Sequence, residues 1–441
     1  MPLSPDPHAA GWRVGADIGG TFTDVIALGP DGEVVPIKVP STPPDYGSGV
    51  VAATIDVLSS AAARPEAVVG MLHGTTVATN AILAMNGVRT AVVTTRGFRD
   101  VLEIGRLRRP VLYDLSWSKP APLARRRDRH ELDQRITADG RLEPPAGEDE
   151  VRALAARLRA DGIRAVAVCL INSYVHPDEE RRVADLLRAE LPGVYVTASV
   201  DVSPQPHEFE RTSTATVNAY VGPAVHGYLT RLEDGLRAAK VSAPLLVMQS
   251  SGGLLDAATV AQRPVQIIES GPAAGVTAVQ KLAQLIGLST VVAFDMGGTT
   301  AKASLIEHGE PFVSADYEVG GGMNVARGIS SGAGYPVRAP SIDIAEVGSG
   351  GGSIISVDAA GALHVGPTSA GSRPGPACYG QGGELPTLTD ANVTLGYLSP
   401  EALAGGRAAR RRRTGHRARR VPGGRVEHDD RGQGSDQRTR P

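Results

Sequence analysis

The chain has 441 residues, 41% hydrophobic and 21% charged, with a formal net charge of −2. That length allows two or three domains with cores of their own, and the charge balance gives the main body no pull toward nucleic acid or an anionic membrane. Two cysteines, Cys169 and Cys378, exclude a disulfide framework; with no signal-like stretch after Met1 and no apolar run of about 18 residues, a cytoplasmic protein is expected.

In chain order, Trp12–Leu28 reads as strand, Gly-rich turn, strand, around Asp17-Ile18-Gly19-Gly20-Thr21. Val50–Leu58 is predicted helical, Val68–Leu72 a strand, and Thr75–Met85 a helix that Gly87 can stop. Thr90–Thr95 is a strand, and Arg106–Arg129, which mixes Pro, Arg and Trp, an irregular excursion. Glu148–Ala160 is an amphipathic helix, followed by a buried strand at Ala165–Leu170 and a helix over Asp178–Glu190. Cys169 falls inside that apolar strand, as a structural thiol would. Helices alternating with short apolar strands predict α/β architecture.

A second unit is expected from about Glu208, with helices over Thr212–Tyr228 and Tyr228–Ala239 and strands at Leu245–Gln249 and Val265–Ile268. A helix from Pro272 to about Ile286 follows. The strand Thr290–Phe294 then leads into Asp295-Met296-Gly297-Gly298-Thr299. DIGGT and DMGGT, each between apolar runs, mark an internal repeat and a duplicated fold. The expected division is 12–200, 208–405, and an Arg-rich tail at 406–441. From Arg407 onward there is no Leu, Ile or Phe, so the tail is expected to be disordered. Its text is what an out-of-frame stretch of a GC-rich gene gives; a nucleic-acid-binding arm is the competing reading.

The chemistry of the repeat follows from its residue types. Adjacent glycines after a strand let backbone N–H groups converge on an anion. The Asp at the strand end can hold the water shell of Mg²⁺, which dehydrates reluctantly and needs few carboxylates. The following Thr hydroxyls can donate to phosphate oxygens. Two such turns predict two related domains facing each other, with a nucleotide's phosphates between them.

The repeat resembles the actin/sugar-kinase/Hsp70 superfamily, and the motifs around it narrow the resemblance to the hydantoinase A/5-oxoprolinase family. They are Trp12–Asp24, His73–Asn80, Gly97–Asp100, Gln249–Gly253, Glu269–Gly275, Phe294–Thr300, Glu346–Ser353, Gly366-Pro367 through Cys378-Tyr379-Gly380, and Thr389–Asn392. The resemblance implies duplicated RNase H-like domains around an ATP cleft. It also implies ATP-driven opening of a cyclic amide or imide through a phosphorylated carbonyl, with ATP and Mg²⁺ as cofactors. Carboxylase subunits of the same family imply a second reading, phosphorylation of a ketone enolate, and a hydantoinase B-type subunit is an implied partner; a third reading is an inactive truncated product.

On that basis Asp17 and Asp295 are expected to organise Mg²⁺. Gly19, Gly20, Gly297 and Gly298 are expected to offer N–H groups to phosphates, helped by Thr21, Thr23, Thr299 and Thr300. Aligning the turns sets Asp24 opposite Lys302, so Lys302 is assigned to the γ-phosphate and Asp24 to metal or substrate. His73 is a candidate acid or base at neutral pH. Gly74, Thr75 and Thr76 open a helix that can bind an anion, as does Gly271. Gly350 and Gly351 are assigned to a ligand-contacting loop. Arg96, Arg99, Arg106, Arg108 and Arg109 form a basic cluster that fits a carboxylate substrate, a partner subunit or a solvated face. Family members generally run on well past Thr-Asp-Ala-Asn, through a further Gly-Gly-rich turn that is not seen here, so the second domain is expected to be incomplete and to expose core surface.

Overall fold

The structure is a computed structural model that describes residues 11–400 apart from 20–21, 43–44, 107–108, 110–112, 299, 321–333 and 372. The predicted tail lies outside the described residues, as do Gly20, Thr21, Arg108 and Thr299.

Alternating burial along β1 (Trp12–Ile18) and β2 (Phe22–Leu28) makes them a half-buried hairpin, which β3 (Val34–Pro40) extends to an antiparallel meander. After α1 (Tyr46–Ser60), β4 (Val68–Thr75) returns parallel to β1 and ends at the short α2 (Val77–Leu83). The chain then leaves this sheet to build another. Its strands are β5 (Thr90–Thr95), β6 (Arg129–Leu132), β7 (Ala165–Cys169) and β8 (Tyr195–Ala198), parallel in the order β6-β5-β7-β8. α3 (Val101–Ile104), α4 (Glu148–Ala160), α5 (Pro177–Glu190) and α6 (Ser199–Val202) connect or follow them. The fully apolar run of β7 is what a parallel strand covered on both faces requires.

The return is made by α7 (Glu208–Ala238), one helix of 31 residues where two were predicted. It runs unbroken past Pro223, with its N-terminal half buried almost all round. β9 (Leu245–Met248), β10 (Leu254–Asp256) and α8 (Ala257–Gln262) follow. β9 pairs parallel to β4, which gives the first sheet the order β10-β9-β4-β1-β2-β3. That meander continued by parallel strands is the first of the expected duplicated domains. The strand predicted at Val265–Ile268 is instead a tight 3-10 turn, Pro264–Ile267, opened by a proline that cannot donate to a ladder.

The first sheet crosses the division expected near 200–208. α7 and β9 belong to the first sheet, and one core joins Val14, Ile18 and Val57 to Val221, Leu232, Val247 and Ile268. The β5–β8 layer is an insertion between β4 and β9, with its own core around Leu154, Val166 and Leu187. It is clasped to α7 by buried Arg211, which donates to the Leu170 carbonyl (2.8 Å), Ser199 Oγ (2.7 Å) and Glu208 (3.0 Å) and lies 3.5 Å from buried Glu180. Cys169, also buried, accepts from Thr212 Oγ1 and is a structural thiol.

The second unit starts with α9 (Ser270–Leu285), then β11 (Val291–Met296) and β12 (Ala301–Glu307). β13 (Glu310–Pro311), β14 (Val313–Ser314), β15 (Tyr317–Val319), β16 (Tyr335–Val337), β17 (Ser341–Ile342) and β18 (Ala345–Val347) are short strands. The β19 (Ser353–Val357) and β20 (Leu363–Ser369) hairpin and α10 (Leu388–Thr394) complete the described elements. None of the described helices is long and apolar enough to cross a membrane.

β11–β12 repeats β1–β2 closely. Asp17 is in register with Asp24 and Asp295 with Lys302, and the turns are closed by matching bonds, Gly19 N–H to Phe22 O (2.9 Å) and Gly297 N–H to Thr300 O (3.0 Å). Their surroundings differ. Val14, Ala16 and Ile18 are 0–4% exposed under α1 and α7, whereas the equivalent Val292, Phe294 and Met296 are 64%, 63% and 40% exposed. Among the described residues β11 pairs with β12 alone, while β1 has β2 and β4 on its two edges. The second domain is thus incomplete within the described residues, with bare core surface as expected. Equivalent substitutions should then have unequal costs. Val14→Asp should destabilise by about 3–5 kcal/mol and Val292→Asp by no more than about 0.5 kcal/mol, read from urea midpoints; equal costs would show that the outer face of β11 is covered in solution.

Candidate active site

The site is built where β1, β4, α9 and the β11–β12 hairpin meet. Asp17 ends β1, and its carboxylate lies against two backbones that lack side chains. A methyl carbon added at Gly74 would sit 2.6 Å from Asp17 Oδ1, and one at Gly271 3.0 Å. Here glycine is required by close approach. Ser270 stitches α9 to the end of β4, accepting from Thr75 N–H (3.0 Å) and donating to Thr75 O (2.8 Å). This places the first turn of α9 beside Asp17.

The Asp17 side chain is exposed to solvent, yet the protein packed around it raises its pKa. Burial contributes most, then the charges of Asp24 and Asp295, while Lys38 and Lys302 pull the other way. Both hairpins therefore act on one carboxylate, and they share a locality. Cavities lie on either side of the α9 N-terminus. One is lined by Gly15, Asp17, Asp24 and Gly74 with Ala274, the other by Asp295, Lys302, Phe294 and Ile344 with Pro272 and Gly275.

The other expected site residues separate into two groups. Lys302, largely buried, meets Glu269 at 2.5 Å and Glu346 at 3.7 Å. Asp24 is exposed and paired with Lys38 on the adjacent β3 at 2.6 Å. Thr23 is buried, with Oγ1 3.1 Å from Ser41 Oγ, and Ser41 donates to Gly19 O at 2.7 Å. Thr76 donates to Ile18 O (3.2 Å), and Thr75 Oγ1 accepts from Val77 N–H. These threonines brace the first turn. α2 has only seven residues, too short for an anion site at its N-terminus. Of the basic cluster, Arg96 pairs with Asp133 and Arg106 with Glu210.

Three assignments are corrected. His73 is 1% exposed, with Nδ1 3.1 Å from Ala16 O and Nε2 2.7 Å from Tyr228 Oη. The neutral ring donates to the carbonyl and accepts from the phenol, so both nitrogens are occupied and burial pushes its pKa down to about 4. His73 ties β1, β4 and α7 together rather than moving protons. Gly350 and Gly351 do not present free donors either: Gly350 N–H goes to Ser353 Oγ (2.9 Å), and Gly351 N–H to Gly297 O (2.9 Å). The N–H groups of Gly19 and Gly297, expected to face phosphates, are likewise used within their own turns, on Phe22 O and Thr300 O.

The glycine run, Thr389 and Asp390 form a stack of supports under the second turn. Gly352 N–H donates to Gly298 O (2.7 Å), Thr389 N–H and Oγ1 donate to Gly351 O (both 2.8 Å), and Asp390, in a capping box with the N-cap Thr387 of α10, also accepts from Cys378 N–H (2.7 Å). Sequence reading assigned no role to Glu269, Glu346 or Lys38. Glu269 and Glu346 sit in recognised motifs, and the strand alternation of β3 sets Lys38 opposite Asp24.

Carboxylates outnumber ammonium groups here: Asp17, Asp24, Asp295, Glu269 and Glu346 against Lys38 and Lys302. Among the described residues no cluster of three or more His, Cys, Asp or Glu could hold a metal by itself. A lone Asp at the end of each hairpin fits an ion bound mainly by water and phosphate oxygens, as Mg²⁺ is.

Two family models match, the hydantoinase/oxoprolinase N-terminal region over residues 13–191 and hydantoinase/oxoprolinase over 211–421. Caprolactamase subunit alpha of Pseudomonas jessenii is 36% identical over 90% of this chain and 56% of its own length. The crystal structure of that ATP-dependent caprolactamase superposes with a TM-score of 0.73 at 35% identity, over 90% of this chain and 56% of that one. 5-Oxoprolinase 1 of Arabidopsis thaliana is 33% identical over 87% of this chain and 31% of its own length. A nucleotide-free acetone carboxylase structure gives a TM-score of 0.74 at 27% identity, covering 90% of this chain and 56% of that one. The chain thus spans between a third and little more than half the length of these relatives.

The buried neutral His73 makes stability pH-dependent. Its pKa falls from 6.5 to about 4 on folding, so between those values the unfolded chain binds more protons and stability drops as pH is lowered. The loss from this group is about 3 kcal/mol by pH 4. Denaturant titrations at pH 7 and pH 4 should show a smaller drop in His73→Gln than in the parent; parallel pH dependences would place His73 outside the core.

Proposed function

Because the chain belongs to the hydantoinase/oxoprolinase family, we propose that it acts in ATP-dependent opening of a cyclic amide or imide, such as 5-oxoproline or a hydantoin. The observation that carries this is the pair of matching Asp-bearing hairpins turned onto one locality, with Lys302 and the α9 N-terminus between them.

An amide resists water because its nitrogen feeds electrons into the carbonyl. ATP would supply the phosphoryl group that makes the carbonyl oxygen a leaving group. The chain's part is positioning and charge balance. Asp17 and Asp295 would hold Mg²⁺, the turn at Gly298 would face the phosphates, and the Lys302 ammonium would meet the γ-phosphate. Gly74 and Gly271 leave room for the Asp17 carboxylate beside the start of α9. A relative of this chain is named as an alpha subunit, which supports a B-type subunit as partner. The likeness to acetone carboxylase supports a second reading, phosphorylation of a ketone enolate.

Asp17→Ala and Asp295→Ala should each lower ATP hydrolysis by about 100-fold. Phosphate release should rise with 5-oxoproline, N-methylhydantoin or caprolactam. Stimulation by acetone with bicarbonate instead selects the carboxylase reading, and unchanged hydrolysis in both Asp variants removes the hairpins from the chemistry.

A further inference from the structure

Glu269 stands out because the chain holds it at a cost. It is the residue before α9, with φ +63° in the left-handed region, which glycine or asparagine would occupy with less strain. Its side chain is 7% exposed, and its carboxylate accepts from Lys302 Nζ at 2.5 Å. Glu346, across the ladder from Lys302, lies 3.7 Å away on the other side. A buried Lys–Glu pair adds little net stability, since desolvation offsets attraction. What the pair does fix is position: Lys302 is carried on a flexible four-carbon stem, and Glu269 pins its end between the hairpins, within electrostatic reach of Asp17.

We propose that Glu269 is a positioning residue of the phosphate site: it holds the Lys302 ammonium in place and releases it to an incoming phosphate. This rests on the reading above, that nucleotide phosphates enter between the hairpins. A terminal phosphate carries more charge than one carboxylate and can displace it from a single-point ammonium contact, but it must compete to do so. Glu269 is thus both holder and rival. Removing its charge while keeping its shape should strengthen nucleotide binding and slow turnover, because Lys302 meets phosphate without exchange yet is no longer held in register.

The test is binding of N-methylanthraniloyl-ATP with magnesium, followed by fluorescence, alongside phosphate release. In Glu269→Gln the dissociation constant should fall at least about threefold while turnover falls. Glu346→Gln, at a more exposed carboxylate, should shift binding in the same direction by less, and it serves should Glu269→Gln not fold. In the double variant with Lys302→Met the tightening should vanish. A purely structural Glu269 would give weaker binding on substitution; weaker or unchanged binding in both Gln variants overturns the proposal while leaving the nucleotide reading intact. Failure of the unsubstituted chain to bind the analogue overturns that reading, and this inference with it.

Discussion

The organisation of this site depends on one contact, the Asp17 carboxylate lying against the bare backbones of Gly74 and Gly271. Three separate parts of the chain meet there: the end of β1, the end of β4 and the start of α9. Side chains at either glycine would push the carboxylate out or the helix away. The same convergence explains the raised pKa of Asp17, since crowding strips water from it while Asp24 and Asp295 add like charge. A cluster with this excess of negative charge is held together by the backbone around it, and a cation is what it accommodates best.

The two hairpins show how one motif is put to two uses. Their registers and turn bonds match, so the strand–Gly-Gly–strand sequence dictates the local shape in both. What differs is the support. The first turn is held by hydroxyls from Ser41 and Thr76, the second by the amides of Gly351 and Gly352, themselves anchored through Thr389. The residue across from the key aspartate differs too: Asp24 tied outward to Lys38, and Lys302 tied inward to Glu269. Duplication with a swapped charge makes an asymmetric site from symmetric parts.

Local chemistry was legible in the sequence, and distant pairing was not. The hairpins, α4, β5 and β7 carry periods and breakers that read directly, because their burial is set by immediate neighbours. The repeat placed Asp17, Asp295 and Lys302 in one region before any fold was known. The misreadings have a common cause. His73 looks reactive until Ala16 and Tyr228 occupy both its nitrogens; Gly351 looks like a phosphate cradle until its amide is found on Gly297. The continuation of the first sheet past 200–208 could not be read because nothing in β9 announces that it will pair with β4, far earlier in the chain. Each partner lies far away in sequence, and satisfaction of a polar group cannot be read from its neighbours alone.

The placement of the β5–β8 layer has a consequence for how the molecule comes into being. Because β4 and β9 are adjacent in space but separated by the whole parallel layer and α7, the first sheet cannot close while the polypeptide is still emerging from the ribosome's exit tunnel through that insert. The insert, with a core of its own, is free to collapse meanwhile. Closure of the sheet then pays a long-loop entropy in a single step, with the bare edge of β4 awaiting a late strand, and such delayed non-local pairing is slow and leaves the nascent chain exposed to association with its neighbours.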